Sequence, residues 1–99
     1  MKIRKINEGN NLTLALEGRL DTTTAPDFDA VVKSELTDIT FLKLDFKDLE
    51  YISSAGLRVL LSAQKIMNNQ SGCLEIHNAN ENILEVFEIT GFSDLLTIK

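Results

Sequence analysis

The chain has 99 residues, 43% of them hydrophobic, with one cysteine, one histidine and a formal net charge of −5 at pH 7. This length predicts a single domain, residues 1–99, that can bury its own hydrophobic core. The acidic charge argues against a nucleic-acid partner, because phosphate backbones attract basic proteins. One cysteine and one histidine cannot supply a His/Cys metal cluster, and we expect no cofactor.

The N-terminal segment and the length of the apolar runs indicate where in the cell the protein is expected. No apolar stretch reaches the length of about 20 residues that a membrane-spanning helix needs, so we expect no membrane insertion. The N-terminal segment MKIRKINEGN carries charges where a signal peptide has its apolar region. We therefore expect a cytoplasmic protein, with a monomer as the default state.

The first third of the chain predicts a hairpin followed by a helix. A strand over Lys2–Asn7 is closed by turn residues at 9–11, and leucines alternate with Thr, Ala and Glu over Leu12–Gly18. Thr24 is the candidate N-cap of the helix, with a proline and an aspartate in its first turn. Apolar residues then recur at helical spacing at Phe28, Val31, Val32 and Leu36.

The middle of the chain predicts a central strand and a second helix. The run FLKLDF, Phe41–Phe46, has bulky apolar residues on both faces, which favours an interior place in a sheet. A helix begins near Ser54 and has a wide apolar face, with Arg58 on its exposed side. The next strand is CLEI, in which we expect Cys73 to be a small buried residue.

The last third predicts a third helix and a short closing strand. Asn80 caps the helix, and Gly91 suits its C-terminal end. The expected buried stripe of this helix is Ile83, Leu84 and Phe87. The element order is β-β-α-β-α-β-α-β, so the fold class is α/β: a mixed, mostly parallel sheet with an N-terminal hairpin and helices on its apolar faces.

Two adjacent serines stand between the central strand and the second helix, in the stretch YISSAGLRVLL. Ser54 falls where the helix starts, and on composition alone its ordinary role is an N-cap. A chemical role is also open, because the carboxyl end of a central strand presents functional groups and a helix N-terminus favours an anion such as phosphate. Ala55 and Gly56 are small, so another protein has room to approach the hydroxyl.

The motifs of common enzyme classes are missing. The sequence contains no GxxxxGK[ST] phosphate loop, no GxGxxG dinucleotide fingerprint and no GxSxG nucleophile elbow. The single histidine, His77, ends the CLEI strand with no organising acid beside it in the expected arrangement. We therefore expect a protein without its own active site.

Three segments in order resemble the STAS family of bacterial anti-sigma factor antagonists. Residues 17–25, EGRLDTTTA, resemble the family's G-x-L-D-x-x-x-A pattern. Residues 42–61, LKLDFKDLEYISSAGLRVLL, resemble its central strand, loop and D-S-[ST]-G-L helix start, and residues 89–92, ITGF, its closing helix and glycine turn. The resemblance covers essentially the whole chain and implies the STAS fold.

The resemblance implies partner switching controlled by a serine. An anti-sigma factor that is a serine kinase, with a histidine-kinase-like ATPase fold, binds the unphosphorylated form, and a PPM-type phosphatase restores that form after phosphorylation. Alignment on the glycine of the motif places the phosphate acceptor at Ser54, with Ser53 as the less favoured acceptor. The expected partner-binding residues are Asp21, Thr22, Thr23, Ser53, Ala55, Gly56 and Arg58.

The motif departs from the family pattern at two positions, which keeps an alternative open. Ser53 stands where the usual form has aspartate, and Ala55 where it has serine or threonine. The alternative is a STAS domain without a switch, either an accessory subunit, for example of a transporter complex, or a ligand-binding domain.

Overall fold

The computed structural model describes all residues, 1–99, and its elements follow the predicted order. The strands and helices are β1 Lys2–Glu8, β2 Asn11–Leu20, α1 Ala25–Glu35, β3 Phe41–Ile52, α2 Ser54–Asn69, β4 Cys73–His77, α3 Glu81–Thr90 and β5 Thr97–Ile98. A short 3-10 turn, Phe92–Asp94, precedes β5. No helix in the fold combines the length and the apolar character that a membrane crossing requires.

The five strands form one sheet in the order β1-β2-β3-β4-β5. β1 pairs antiparallel with β2, and the remaining neighbours pair in parallel. The prediction of a mixed, mostly parallel sheet with an N-terminal hairpin is confirmed, as is the central place of β3. The carboxyl ends of β2 and β3 therefore lie side by side, where Leu20 is the register partner of Ile52.

β3 is twice as long as the six residues predicted, because it continues to Ile52. The second half carries charged and exposed residues at 47, 48 and 50, and its buried positions no longer alternate. Its pairing with β2 is interrupted by register shifts between Ala15 and Glu17 and between Gly18 and Arg19. A bulged pairing breaks the period of two, so the extension has no local sequence signature.

The hydrophobic core lies on one face of the sheet. Buried residues alternate along β3 at Leu42, Leu44 and Phe46, and they form a single cluster with the buried side chains of all three helices. The other face carries half-buried or exposed side chains, among them Phe41 and Asp45. The helices, expected on the apolar faces of the sheet, cover the one face that carries the core.

Two side chains expected in the core lie at the surface. Cys73 is exposed, because its position in β4 points to the face of the sheet that no helix covers. Leu84 is 37% exposed, whereas Ile83 and Phe87 of the same helix are buried. The predicted caps of α3 are correct: Asn80 Oδ1 accepts a hydrogen bond from Ile83 N at 2.9 Å, and Gly91 ends the helix with φ of 81°.

Candidate functional site

The N-terminus of α2 is capped by Ser53 rather than by Ser54. Ser53 has extended backbone, and its Oγ accepts a hydrogen bond from Gly56 N at 3.4 Å. Ser54 is the first helical residue and is exposed. The expected cap at Ser54 was wrong by one residue, since Ser53 makes the cap bond. The hydroxyl of Ser54 is therefore not used for capping.

Gly56 is buried, and its small size serves packing. A Cβ built at Gly56 would lie 2.7 Å from Leu20 Cγ and 3.0 Å from Ile52 Cγ1, which is too close for a carbon–carbon contact. The glycine lets the first turn of α2 approach the ends of β2 and β3. We expected it to give a partner room near the hydroxyl, but its surface is turned into the protein, and it is no part of an accessible contact surface.

Asp21 shapes the loop between β2 and α1. Its Oδ1 accepts hydrogen bonds from Thr24 N at 3.1 Å and from Thr23 N at 3.0 Å. These backbone donors, led by Thr24 N–H, together with the Thr24 hydroxyl and the Arg19 guanidinium at 3.8 Å, outweigh partial desolvation and lower the pKa of the Asp21 carboxyl. The carboxylate is thus held ionised and directed into its own loop.

Thr24 occupies the N-cap position of α1 but makes no side-chain cap bond, which corrects the predicted role. Its hydroxyl instead donates to Arg19 O at 2.8 Å and accepts from Asp21 N at 2.9 Å. The hydroxyl of Thr24 therefore closes the turn that follows β2. The backbone N–H of Thr24 donates its own hydrogen bond to Asp21 Oδ1.

A groove between α1 and α2 joins several of the predicted site residues. Ser53 N donates to Leu20 O at 2.9 Å, which holds the Asp21 loop against the start of α2. The groove measures about 360 Å³ and is lined by Thr22, Ala25, Pro26, Asp29, Ala55, Arg58 and Val59. Arg58 is exposed and is its only basic residue, and no ion pair engages it. Thr23 is exposed on the loop but does not line the groove.

Sequence reasoning missed a cation–π contact beside this site. The Arg19 guanidinium carbon lies 4.4 Å from the ring centroid of Tyr51, on the neighbouring strand. Both residues stand in the bulged parts of β2 and β3, and their pairing follows from register, so no local pattern in the sequence indicates it. Pro26, Asp29 and Val59 of the groove were missed for the same reason: only the packing of α1 on α2 brings them together.

The residues present do not form a metal site or a nucleophile–base pair at Ser54. No group of three or more His, Cys, Asp or Glu side chains is arranged to hold a metal ion. The single histidine, His77, contacts Glu75 at 2.9 Å on β4, which corrects the expectation that no acid lies beside it. The pair lies in the part of β4 that pairs with the first half of β3. The arrangement at α2 offers an exposed hydroxyl at a helix N-terminus, one turn before the unpaired guanidinium of Arg58. The loop that contains the ionised Asp21 is attached to this helix start through Leu20 O.

Comparison with known proteins identifies the family. The sequence model of the STAS domain matches residues 2–99. An anti-sigma-B factor antagonist of Bacillus subtilis is 31% identical over 98 residues, covering 95% of this chain and 85% of that protein.

Two solved structures share the fold at low sequence identity. The Bacillus cell fate determinant SpoIIAA in its phosphorylated form superposes with a TM-score of 0.77 at 16% identity, over 99% of this chain and 91% of that one. A sulfate transporter family protein of Wolinella succinogenes gives 0.78 at 14% identity, over 93% and 75%. These similarities establish the fold, and the family assignment comes from the sequence matches. The chain belongs to the STAS-domain family of anti-sigma factor antagonists.

Proposed function

We propose that this protein is an anti-sigma factor antagonist whose binding is switched by phosphorylation of Ser54. The observation that carries the proposal is the division of roles at the start of α2: Ser53 makes the cap bond, and Ser54 presents a free, exposed hydroxyl. A phosphate added there leaves the cap and the core unchanged. The unphosphorylated form binds the partner, and phosphorylation ends the binding.

The electrostatics of α2 support a phosphate at this place. The first turn of the helix contains no acidic residue, so no negative charge of its own compensates the positive end of the helix dipole. A phosphoserine adds about −1.5 to −2 charges at neutral pH. Two like unit charges about 6 Å apart repel by about 3 kcal/mol at an effective dielectric near 20, which is about a hundredfold in affinity. No large conformational change is needed.

Ser53 replaces the aspartate of the family motif with a residue of the same capping class. Serine and aspartate are both strong N-cap residues, because each presents an oxygen to the N–H groups of the first turn. Ser53 supplies that oxygen to Gly56 N, so the substitution keeps the local geometry and removes a charge. The same bond engages Ser53, which favours Ser54 as the acceptor.

The proposed partner is an anti-sigma factor that is also a serine kinase, of the histidine-kinase-like ATPase fold, with a PPM-type phosphatase as the restoring enzyme. The proposed contact surface consists of the Asp21 loop and the exposed start of α2. It comprises Asp21, Thr22, Thr23, Ser53, Ala55 and Arg58. Of these, Arg58 offers a free cation in the groove between α1 and α2, and Asp21 a fixed anion beside it. We propose that the protein acts as a cytoplasmic monomer.

The test uses the wild type beside Ser54→Ala and Ser54→Asp. Incubation with the cognate kinase and ATP is followed by mass spectrometry to locate the phosphate, which we expect on Ser54 and not in Ser54→Ala. In a pull-down, Ser54→Ala keeps the kinase and Ser54→Asp loses it. Absence of phosphate from both Ser54 and Ser53, or equal affinities of the two variants, contradicts the proposal.

The second candidate is a STAS domain without a switch, serving as an accessory or ligand-binding domain. The similarity of the fold to a sulfate transporter family protein and the altered motif residues, Ser53 and Ala55, favour it. Genes for an ATPase of the histidine-kinase-like fold and a PPM phosphatase beside the gene of this protein favour the switch. Transporter genes in that place favour the second candidate.

A further inference from the structure

A second groove lies between the end of β3 and helix α3, away from the groove that contains Arg58. It measures about 410 Å³. Its apolar lining consists of Tyr51, Ile52, Ile83, Val86 and Ile89. Two of these side chains are buried at the base, Ile52 and Ile83, whereas Ile89 is 76% exposed and Tyr51 41% exposed. The groove thus continues the hydrophobic core outward to the surface.

The groove is held in shape by hydrogen bonds. Asn80 caps α3 through its Oδ1, and its Nδ2 donates to Leu49 O at 3.1 Å and to Glu50 O at 3.4 Å. One side chain therefore fixes the start of α3 and ties it to β3. A groove that is already formed does not need to reorganise when another molecule enters it, which favours binding.

The charged side chains that line the groove are both acidic, Glu50 and Glu85. Helix α3 also carries Glu81 and Glu88, and no lysine or arginine occurs in α3 or in the lining. One cation lies next to the lining, because the Arg19 guanidinium carbon is 4.4 Å from the ring centroid of Tyr51. An apolar floor between carboxylates is complementary to an apolar segment that carries basic residues on its flanks.

We propose that this β3–α3 groove is a docking surface for an amphipathic helical segment of another protein, with aliphatic side chains in the groove and Lys or Arg against Glu50 and Glu85. A symmetric contact of two copies through this groove is disfavoured, because Glu50 and Glu85 of one copy would face those of the other. The proposal goes beyond the switch at Ser54. The groove does not include Ser54, so its occupancy does not depend on the charge of that residue.

The experiment is an NMR titration of the ¹⁵N-labelled full chain at low salt. The probe is a three-turn synthetic helix with a leucine stripe flanked by lysines, and the matched peptide has glutamate at every lysine position. We expect the lysine peptide to shift the amide signals of Tyr51, Val86 and Ile89, and the glutamate peptide to leave them in place.

Two matched variants make the result decisive. Ile89→Ser removes an exposed apolar side chain from the groove without adding a charge, and Ile6→Ser makes the same change at the other exposed isoleucine, on β1, where 53% of the residue is exposed. Both sites are at the surface, so both variants should fold, which circular dichroism checks. We expect Ile89→Ser to weaken the lysine peptide by about tenfold or more, Ile6→Ser to leave its affinity unchanged, and Ser54→Asp to leave it unchanged as well.

The outcomes also separate this proposal from nonspecific attraction. Glu85→Gln should weaken the lysine peptide and reduce the dependence of its affinity on salt. Equal weakening by the two isoleucine variants, shifts scattered over the acidic surface, or equal binding of the two peptides would overturn the proposal. None of these results depends on phosphorylation, so the switch at Ser54 stands or fails separately.

Discussion

The N-termini of α2 and α3 use the same capping device and differ in what surrounds it. Each helix starts after an extended residue whose side-chain oxygen accepts from a backbone N–H three positions on: Ser53 from Gly56 at 3.4 Å, and Asn80 from Ile83 at 2.9 Å. Helix α3 has Glu81 in its first turn, whereas α2 has no acidic residue there. At the start of α3, the Glu81 carboxylate compensates the helix dipole, and Asn80 bonds the helix to β3. At the start of α2 no acidic residue does so, and an added anion can take that place.

The same difference indicates that the start of α3 mainly stabilises the fold and that the start of α2 is available for binding. At α3 the cap residue is also bonded to β3, so its side chain holds two elements together. At α2 the cap bond is long, and the attachment to the sheet comes from the backbone, through the bond from Ser53 N to Leu20 O. A structural role is concentrated in the Asn80 side chain, whereas the side chains at the start of α2 are free to serve binding.

Removing the Asn80 side chain should cause the largest loss of stability. We expect Asn80→Ala to lower the free energy of unfolding by about 2 kcal/mol, because it removes a cap and the amide donor to the carbonyls of Leu49 and Glu50. Urea unfolding measures the change. Asn80→Ser is the matched control: it retains a capping oxygen and lacks the amide donor, so its stability should fall between those of the wild type and Asn80→Ala. If Asn80→Ala and Ser53→Ala lowered the free energy of unfolding by the same amount, the difference between the two helix starts would be contradicted.

Removing the cap of α2 should cost less. We expect Ser53→Ala to lower the free energy of unfolding by about 0.5–1 kcal/mol, the low end for cap loss, because the bond is long and the site is partly open to water. Ser53→Asp restores the acceptor and adds a negative charge at the positive end of the helix, so its stability should equal or exceed that of the wild type. Urea unfolding of the three proteins checks the order; a Ser53→Asp variant below Ser53→Ala would contradict it.

These two caps also show which features of a helix start can be predicted from the local sequence. Asn80 has no other capping residue directly next to it and precedes a clear apolar stripe, and its role was predicted correctly. The pair Ser53 and Ser54 offers two capping residues in succession, and which of them makes the bond depends on a boundary that propensity places only to within a residue or two. The loop after β2 is similar, since Asp21 and Thr24 are both capping types and the backbone of the turn decides that Asp21 accepts.

The parts of the site that sequence could not predict depend on register and packing. The extension of β3 to Ile52 rests on bulged pairing with β2, which is long-range and breaks the alternation of buried residues. The contact of Arg19 with Tyr51 follows from that register, and the groove beside Arg58 follows from the packing of α1 on α2. Elements with a regular period were predictable; their mutual placement, which creates the grooves, was not.

A phosphate on Ser54 should be sensed by Arg58 across one turn of α2. Residues four apart on a helix are neighbours, and an anion N-terminal to a cation is the favourable orientation. In protein carrying phosphoserine at position 54, installed during translation, ³¹P NMR titration measures the second pKa of the phosphate, ordinarily about 6. We expect Arg58→Gln to raise this pKa by about 0.2–0.4 units, because the guanidinium no longer favours the dianion.

Matched variants on the same helix test this pairing. Arg58→Lys should retain most of the effect, because the charge is kept. Lys65 is exposed and lies about three turns from position 54, so Lys65→Gln should leave the phosphate pKa unchanged. Equal pKa values in Arg58→Gln and the wild type would show that the phosphate interacts with the helix backbone alone. The measurement needs neither kinase nor partner.

The smallest effect should come from Asp21, whose carboxylate is bonded within the loop between β2 and α1. Its pKa in the folded state is lowered, chiefly by the backbone N–H of Thr24, against the opposing effect of desolvation. A lowered folded-state pKa means that the ionised carboxylate contributes stability that is fully present above the unfolded-state pKa and is lost as pH falls through the folded-state pKa. The free energy of unfolding should therefore decline in the acid range. In Asp21→Asn, whose amide oxygen still accepts from Thr23 and Thr24, that decline should be shallower.

A second carboxylate, Asp45, should contribute to the same decline. Burial raises the Asp45 pKa, but the hydrogen bonds from the Asn78 amide and the Lys47 N–H outweigh burial and lower it. Asp45→Asn should therefore also make the decline shallower, independently of Asp21. Urea unfolding across the acid range compares the three proteins, and a profile of Asp21→Asn that parallels the wild type would show that the loop carboxylate is free to interact with the start of α2 or with a partner.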